Sequence, residues 1–208
     1  MHSLEMLTGV SVLAVDGEIG NVCNFLFDDR TWDIRYVVVD VNTWLNRHGV
    51  LISATSLGAP NWTSRSFRVN LTKEQVRHSP SVDTNQPVSR QQEIAMREYY
   101  GWPSDWTDLS VELPPVSFPA GREFPVTAQA DVHLRSAEDI TGYMVCADDR
   151  EMGCLESFIV DETSWHLGYL DVKAGDWLYS RSVLIPTQWV KSISWADHRV
   201  NLRRTSKA

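Results

Sequence analysis

Apolar residues in this chain gather in short, β-branched runs separated by turn residues. Val10 to Val15 is one such run, and the Asp16-Gly17 pair that closes it is a strong hairpin signal. Val22 to Phe27 follows, and then a polar turn at Asp28-Asp29-Arg30-Thr31. Ile34 to Val41 is apolar at nearly every position, as in a strand buried over most of its length. Val50-Leu51-Ile52 and Phe67 to Leu71 complete the set. Short strands at this spacing, joined by tight turns, predict a small antiparallel barrel. Thr72-Lys73-Glu74-Gln75 reads as a capping box opening a short helix that must stop near Ser79-Pro80.

The same pattern then returns. Shifted by 133 positions, Leu7 to Ser53 falls on Ile140 to Pro186 without a gap, and 17 of the 47 pairs are identical. Ordinary residue usage would give about 3. The identities are turn residues (Gly9/Gly142, Asp16/Asp149, Gly20/Gly153, Asp28/Asp161), strand apolars (Val12/Val145, Phe25/Phe158, Val39/Val172) and aromatics (Trp32/Trp165, Tyr36/Tyr169, Trp44/Trp177). Strands are therefore expected at Gly142 to Ala147, Leu155 to Val160, Leu167 to Val172, Val183 to Ile185 and Arg199 to Leu202. One module occurs twice, with no second capping-box helix after the second copy.

Between the copies the chain changes character. Residues 80–132 hold seven of the nine prolines. Within them Ser89 and Gln92 form a capping box, Ile94, Met96 and Tyr100 supply apolar contacts, and Gly101 with Pro103 ends the pattern, so a helix is predicted over about 89–100. The reading is a first domain over 1–79, a Pro-rich linker over 80–132 and a second domain over 133–208.

These residues carry a resemblance. Asp16-Gly17-Glu18-Ile19-Gly20, Phe25, Asp28, Thr31-Trp32, Tyr36-Val37-Val38-Val39-Asp40, Trp44-Leu45 and Val50-Leu51-Ile52-Ser53 resemble a PRC-barrel domain. So do Gly142-Tyr143, Glu151-Met152-Gly153, Phe158, Asp161, Trp165, Trp177-Leu178 and Val183-Leu184-Ile185-Pro186. Leu71 to Val76, Pro87 to Arg90 and Tyr99 to Pro103 are similar to the linker of tandem members. The family is named for the cytoplasmic domain of the photosynthetic reaction centre H subunit. The resemblance implies a mainly β chain of two small antiparallel barrels that make protein contacts and share no catalytic apparatus. The sequence departs from the H subunit in that no counterpart of its membrane helix is expected.

Charge and composition narrow the function. A net charge of −8 argues against a phosphate-binding surface, so no nucleic-acid partner is expected. No apolar stretch has the ~20 residues of a membrane span, and MHSLEMLTGV lacks the pattern of a secretory signal. Three scattered cysteines are expected as free thiols, which suits the cytoplasm. The repeated carboxylates Asp16/Asp149, Glu18/Glu151 and Asp28/Asp161 have the chemistry of acid–base pairs or cation ligands, but their positions are those where a side chain stabilises its own turn. The histidines show no metal-ligand spacing, and no hydrolase or nucleotide motif occurs. No catalytic residue, metal or cofactor is expected. Trp44 and Trp177, in polar loops, and Trp102 and Trp106, beside the linker helix, are candidate partner contacts. The expected function is a non-enzymatic interaction or scaffold module that pairs with itself, as a homo-oligomer, or with another protein. The alternative is a regulator that binds an ion or small molecule between the barrels.

Overall fold

The computed structural model describes residues 1–43, 46–79, 96, 98–101, 133–147, 150–175 and 181–203, with the backbone alone at 42, 43 and 46–48. The first copy runs β1 (His2–Ser3), α1 (Leu4–Leu7), β2 (Ser11–Ala14), β3 (Gly17–Asp28), β4 (Ile34–Thr43), β5 (Asn46–Ser53), a 3-10 turn at Ala54–Ser56, β6 (Ser66–Arg68) and α2 (Lys73–Arg77). The second runs β7 (Leu134–Ser136), α3 (Ala137–Ile140), β8 (Met144–Ala147), β9 (Arg150–Asp161), β10 (His166–Ala174), β11 (Arg181–Pro186), a 3-10 turn at Thr187–Trp189, β12 (Val190–Ser194) and β13 (Arg199–Leu202). The strands expected from the apolar runs are all present. The capping box at Thr72 and Gln75 opens α2 with both of its hydrogen bonds made.

The chain is mainly β, in two sheets. One has the order β5-β4-β3-β2-β6, with β7 also on β3, and the other the order β11-β10-β9-β8-β13-β12, with β1 also on β9. Neither sheet is purely antiparallel, which corrects the expectation. β6 lies parallel to β2, and β13 parallel to β8, because each late strand swings back beside the first strand of its copy's opening hairpin. Among the described residues no ladder closes either sheet. The edges β11 and β12 follow one another in the chain and are joined by the Thr187–Trp189 turn instead.

The two pairings off the main path are the key to the architecture. β2 is four residues long and covers only Gly17 to Asn21 of the much longer β3. The far end of that edge, Leu26 to Asp28, is filled by β7, the opening strand of the second copy. Reciprocally, β1 of the first copy pairs with Ile159 and Val160 of β9. The registers correspond across the repeat: Ser3 faces Ile159 as Ser136 faces Leu26, and His2 faces Val160 as Arg135 faces Phe27. Each copy thus lends its first strand to the other, about a pseudo-twofold axis. A β edge left bare here would strand N–H and C=O groups without partners.

Packing follows from this exchange. One continuous core takes Leu7, Phe25, Trp32, Phe67 and Val76 from the first copy, and Ile140, Phe158, Trp165, Leu170 and Leu202 from the second. Phe27 and Trp32 stack at 5.4 Å between ring centroids, and Phe158 of the second copy tilts against Phe27 at 5.5 Å. A smaller cluster lies on the outer face of the first sheet. There Leu26, Tyr36, Val38 and Leu51 are covered by Leu134 and by Met96, with Tyr100 beside them. Met96 and residues 98–100 are helical, in agreement with the expected linker helix; its earlier residues lie outside the described part.

Gly20 and Gly153 show why the repeat kept its glycines. A Cβ on Gly20 would stand 2.0 Å from the Asp40 carbonyl oxygen, and one on Gly153 would stand 2.2 Å from that of Lys173. These are equivalent contacts with backbone that has no room to yield. Gly20→Ala and Gly153→Ala are each expected to lower unfolding free energy by about 1–3 kcal/mol, read as an earlier urea midpoint, whereas Gly168→Ala, which meets nothing within 4 Å, stays close to the parent.

Candidate functional site

The repeated residues converge on the axis between the copies. Trp32 and Trp165 both hold left-handed backbone, φ 63° and 59°, unusual for so bulky a residue. Each N–H turns back to donate to the carbonyl of Asp28 or Asp161, at 2.8 and 2.7 Å. That turn presents each Trp carbonyl to the other copy: Leu167 donates to Trp32 O and Ile34 donates to Trp165 O, both at 2.8 Å. Asp33 and His166 are equivalent positions and form a β-bridge with each other, the Asp33 carboxylate meeting His166 Nδ1 at 2.8 Å. Both Trp side chains are buried in the core, so the pair has a second role in its main chain.

Charged side chains repeat the exchange. His2 on β1 meets Glu162 of the second copy, and Arg135 on β7 donates to Asp29 of the first at 2.6 Å; these two pairs are related by the repeat. Each exchanged side chain also lies against an aromatic of its own copy, His2 against Trp62 and Arg135 over Trp195 at 5.0 Å. Trp62 and Trp195 are themselves a repeat pair, so the match at these positions has a physical cause. His133 adds a contact to Asp29 at 2.9 Å. Among the described residues His2, His133 and His166 thus pair with a carboxylate across the seam, which spacing within one copy could not reveal.

The carboxylates singled out by repetition serve turns and edges. Asp16 accepts from the Lys73 N–H at 2.8 Å at the start of α2, and Glu18 accepts from the Ser11 hydroxyl at 2.9 Å. Glu151 meets Arg199 at 3.3 Å, while Asp149 lies outside the described residues. Buried Asp28 accepts from the Arg30 N–H at 2.9 Å and from its guanidinium at 3.0 Å. Burial alone would raise its pKa, but the Arg30 contacts outweigh it and hold the carboxyl below its ordinary value. At Asp161 the Thr163 N–H leads a set of hydrogen bonds with the same result. Trp44, Trp177, Trp102 and Trp106 all lie outside the described residues. Among the described residues no three His, Cys, Asp or Glu side chains come close enough to hold a metal, and no helix is long and apolar enough to cross a membrane.

A groove of about 380 Å³ opens along the pseudo-twofold axis between α1 and α3. Phe25 and Phe158 line its floor with Asn24 and Ser157, and the rim carries Glu5, Glu138, Glu156 and Cys23. Its lining is made of six repeat-related pairs, among them Thr8/Thr141 and Phe25/Phe158. Both walls are short helices capped by the exchanged strands. Ser3 caps α1 and hydrogen-bonds Ser157 at 2.7 Å, while Ser136 caps α3 and accepts from Asn24 at 2.9 Å. The symmetry is broken where Cys23 occupies the position equivalent to Glu156. Partial burial pushes the Cys23 thiol up, and the Asp40 and Glu138 carboxylates push it further. Sequence reasoning missed this groove because its residues are unremarkable until the strand exchange brings the copies together.

No protein-family model matches the chain, and no curated protein matches it at a significant level.

Two outcomes test these electrostatics. Since Asp28 titrates lower folded than unfolded, its contribution is fully present above the unfolded value of about 3.9 and is lost as pH falls through the folded value. Asp28→Asn is expected to cost about 1–3 kcal/mol at neutral pH and to flatten the acid side of the stability curve, measured by urea unfolding from pH 2 to 7. Alkylation of Cys23 by iodoacetamide is expected to be slow at pH 8 and to speed up in Glu138→Gln, because removing that negative charge favours the thiolate. Peptide mapping by mass spectrometry gives the rate at this one residue.

Proposed function

We propose that the chain is a non-enzymatic interaction or scaffold module of the PRC-barrel kind, its two barrels acting as one rigid platform. The observation that carries this reading is a difference in exposure between equivalent positions. Met152, Val183 and Leu184 are exposed in the second copy, while their counterparts Ile19 and Leu51 are buried and Val50 is half-buried. Trp189 is exposed nearby in the sequence. Large apolar side chains held in solvent on rigid strands suit contact with another macromolecule. The repeated carboxylates fit the same reading, since those described support turns, edges and a helix start. The partner is a second copy of the chain or a different protein.

A second reading draws on the groove. A ligand carrying an amine or other cation, bound between α1 and α3, would touch both copies at once and so bias how they pack. Its volume lies within the range of small-molecule sites.

The two readings separate experimentally. The module reading expects sedimentation velocity to show a complex, either of the chain with itself or with a protein recovered by affinity capture from its native cell. A strict monomer that recovers no partner overturns it. The ligand reading expects a rise in Tm of several degrees with a cationic metabolite or metal in a thermal-shift screen, lost in Glu138→Gln, and a flat screen removes it.

A further inference from the structure

The outer faces of the two sheets are built alike but covered differently. On the first sheet, Leu26, Tyr36, Val38, Leu51 and Leu134 form a buried cluster under Met96 of the linker helix. The repeat carries these positions to Ile159, Tyr169, Asp171, Leu184 and Met1 on the second sheet. There Ile159 and Tyr169 are half-buried, Leu184 is 51% exposed and Met1 is 68% exposed. Four of the five positions kept an apolar residue. The fifth exchanged Val38, 2% exposed, for a carboxylate, Asp171. Among the described residues the second face is therefore the first face without a lid, with one negative charge in its middle. The Ser182 hydroxyl donates to Asp171, and Lys173 and Glu156 pair with each other at 3.5 Å on the same sheet.

We propose that this face, Ile159, Tyr169 and Leu184 around Asp171, docks an amphipathic helix of another protein, and that the helix carries a Lys or Arg against Asp171. The proposal rests on the interaction-module reading and names its surface. Two features of the molecule specify the occupant. The equivalent face already holds a helix whose Met96 and Tyr100, four positions apart, present one side to the sheet, so the pocket spacing on the second face fits the same i, i+4 pair. Charge supplies the rest. A carboxylate amid apolar side chains is costly to cover unless a cation accompanies the cover, and in a chain of net charge −8 a basic partner is also drawn in at longer range. Apolar anchors flanking a central ion pair are the known means by which a groove selects one helix from many.

The covering sequence of the chain itself supplies the probe. A labelled peptide of residues 89–101 is locked as a helix by a lactam bridge on the side away from Met96. Glu93, which shares the side of Met96 and Tyr100 by helical spacing, is changed to Lys in a second peptide. Fluorescence anisotropy with the full chain is expected to show micromolar binding of the Glu93→Lys peptide, at least ten-fold tighter than the parent peptide. Leu184→Glu in the chain is expected to weaken it ten-fold or more, and Asp171→Val to remove the preference for Lys. Both positions face outward, so circular dichroism and Tm serve as the folding control. Absent binding, or binding indifferent to Leu184→Glu and Asp171→Val, overturns the proposal. If the chain associates with itself and Leu184→Glu makes it monomeric, the occupant is a second copy and the foreign helix is excluded. A captured partner that still binds Leu184→Glu leaves the module reading standing while this face falls.

Discussion

A β strand longer than its neighbour must find something for the rest of its edge, and the molecule is organised around that requirement. β3 and β9 outrun β2 and β8, and the bare ends of their edges are completed by strands from the opposite copy. Backbone groups that would otherwise be desolvated without partners fix the relative position of the copies. The Trp32 and Trp165 carbonyls, the Asp33–His166 bridge and the His2–Glu162 and Arg135–Asp29 pairs fall into register as consequences. The single continuous core goes with it, with Phe158 of the second copy against Phe27 and Trp32 of the first.

Because the halves are no longer identical, the symmetric frame can carry asymmetric surfaces. The linker helix covers one outer face, and α2 packs on β3 of the first copy, so Ile19 and Leu51 are withdrawn from solvent while Met152 and Leu184 are left in it. Within the groove, Cys23 answers Glu156 and Asn24 answers Ser157. The interior holds the frame constant and the exterior differs.

Much of the frame was legible in the sequence because the repeat preserves what the backbone demands. Gly20 and Gly153 are kept where a carbonyl passes too close for a Cβ, and Asp28 and Asp161 where a turn needs its N–H groups accepted. The long β-branched run Ile34 to Val41 declared β4, and the repeat carried that assignment to β10. The exchanged strands were not legible. His2-Ser3 and Leu134-Arg135-Ser136 are too short to show a period of two, and a repeat reads the same whether its strands pair within a copy or between copies. The parallel pairing of β6 with β2 escaped for a related reason, since alternation along a strand says nothing about the direction of its neighbour. The candidate site shared that fate. Its walls are four-residue helices, below the length at which helical periodicity can be recognised, and the aromatic candidates in the loops and linker fall outside the described residues.

The exchange also sets a timetable for synthesis. Ser3 meets Ser157, a residue 154 positions later, so the earlier strand waits for a partner made long after it. The first sheet waits in turn for β7, which follows the whole linker. Contacts this distant in sequence carry a large loop-closure cost before they return any stabilisation. Neither half can therefore be finished on the ribosome ahead of the other, and the chain is committed to folding late and as a unit, with the exposed edges of β3 and β9 open to chaperones, or to a neighbouring nascent chain, until then.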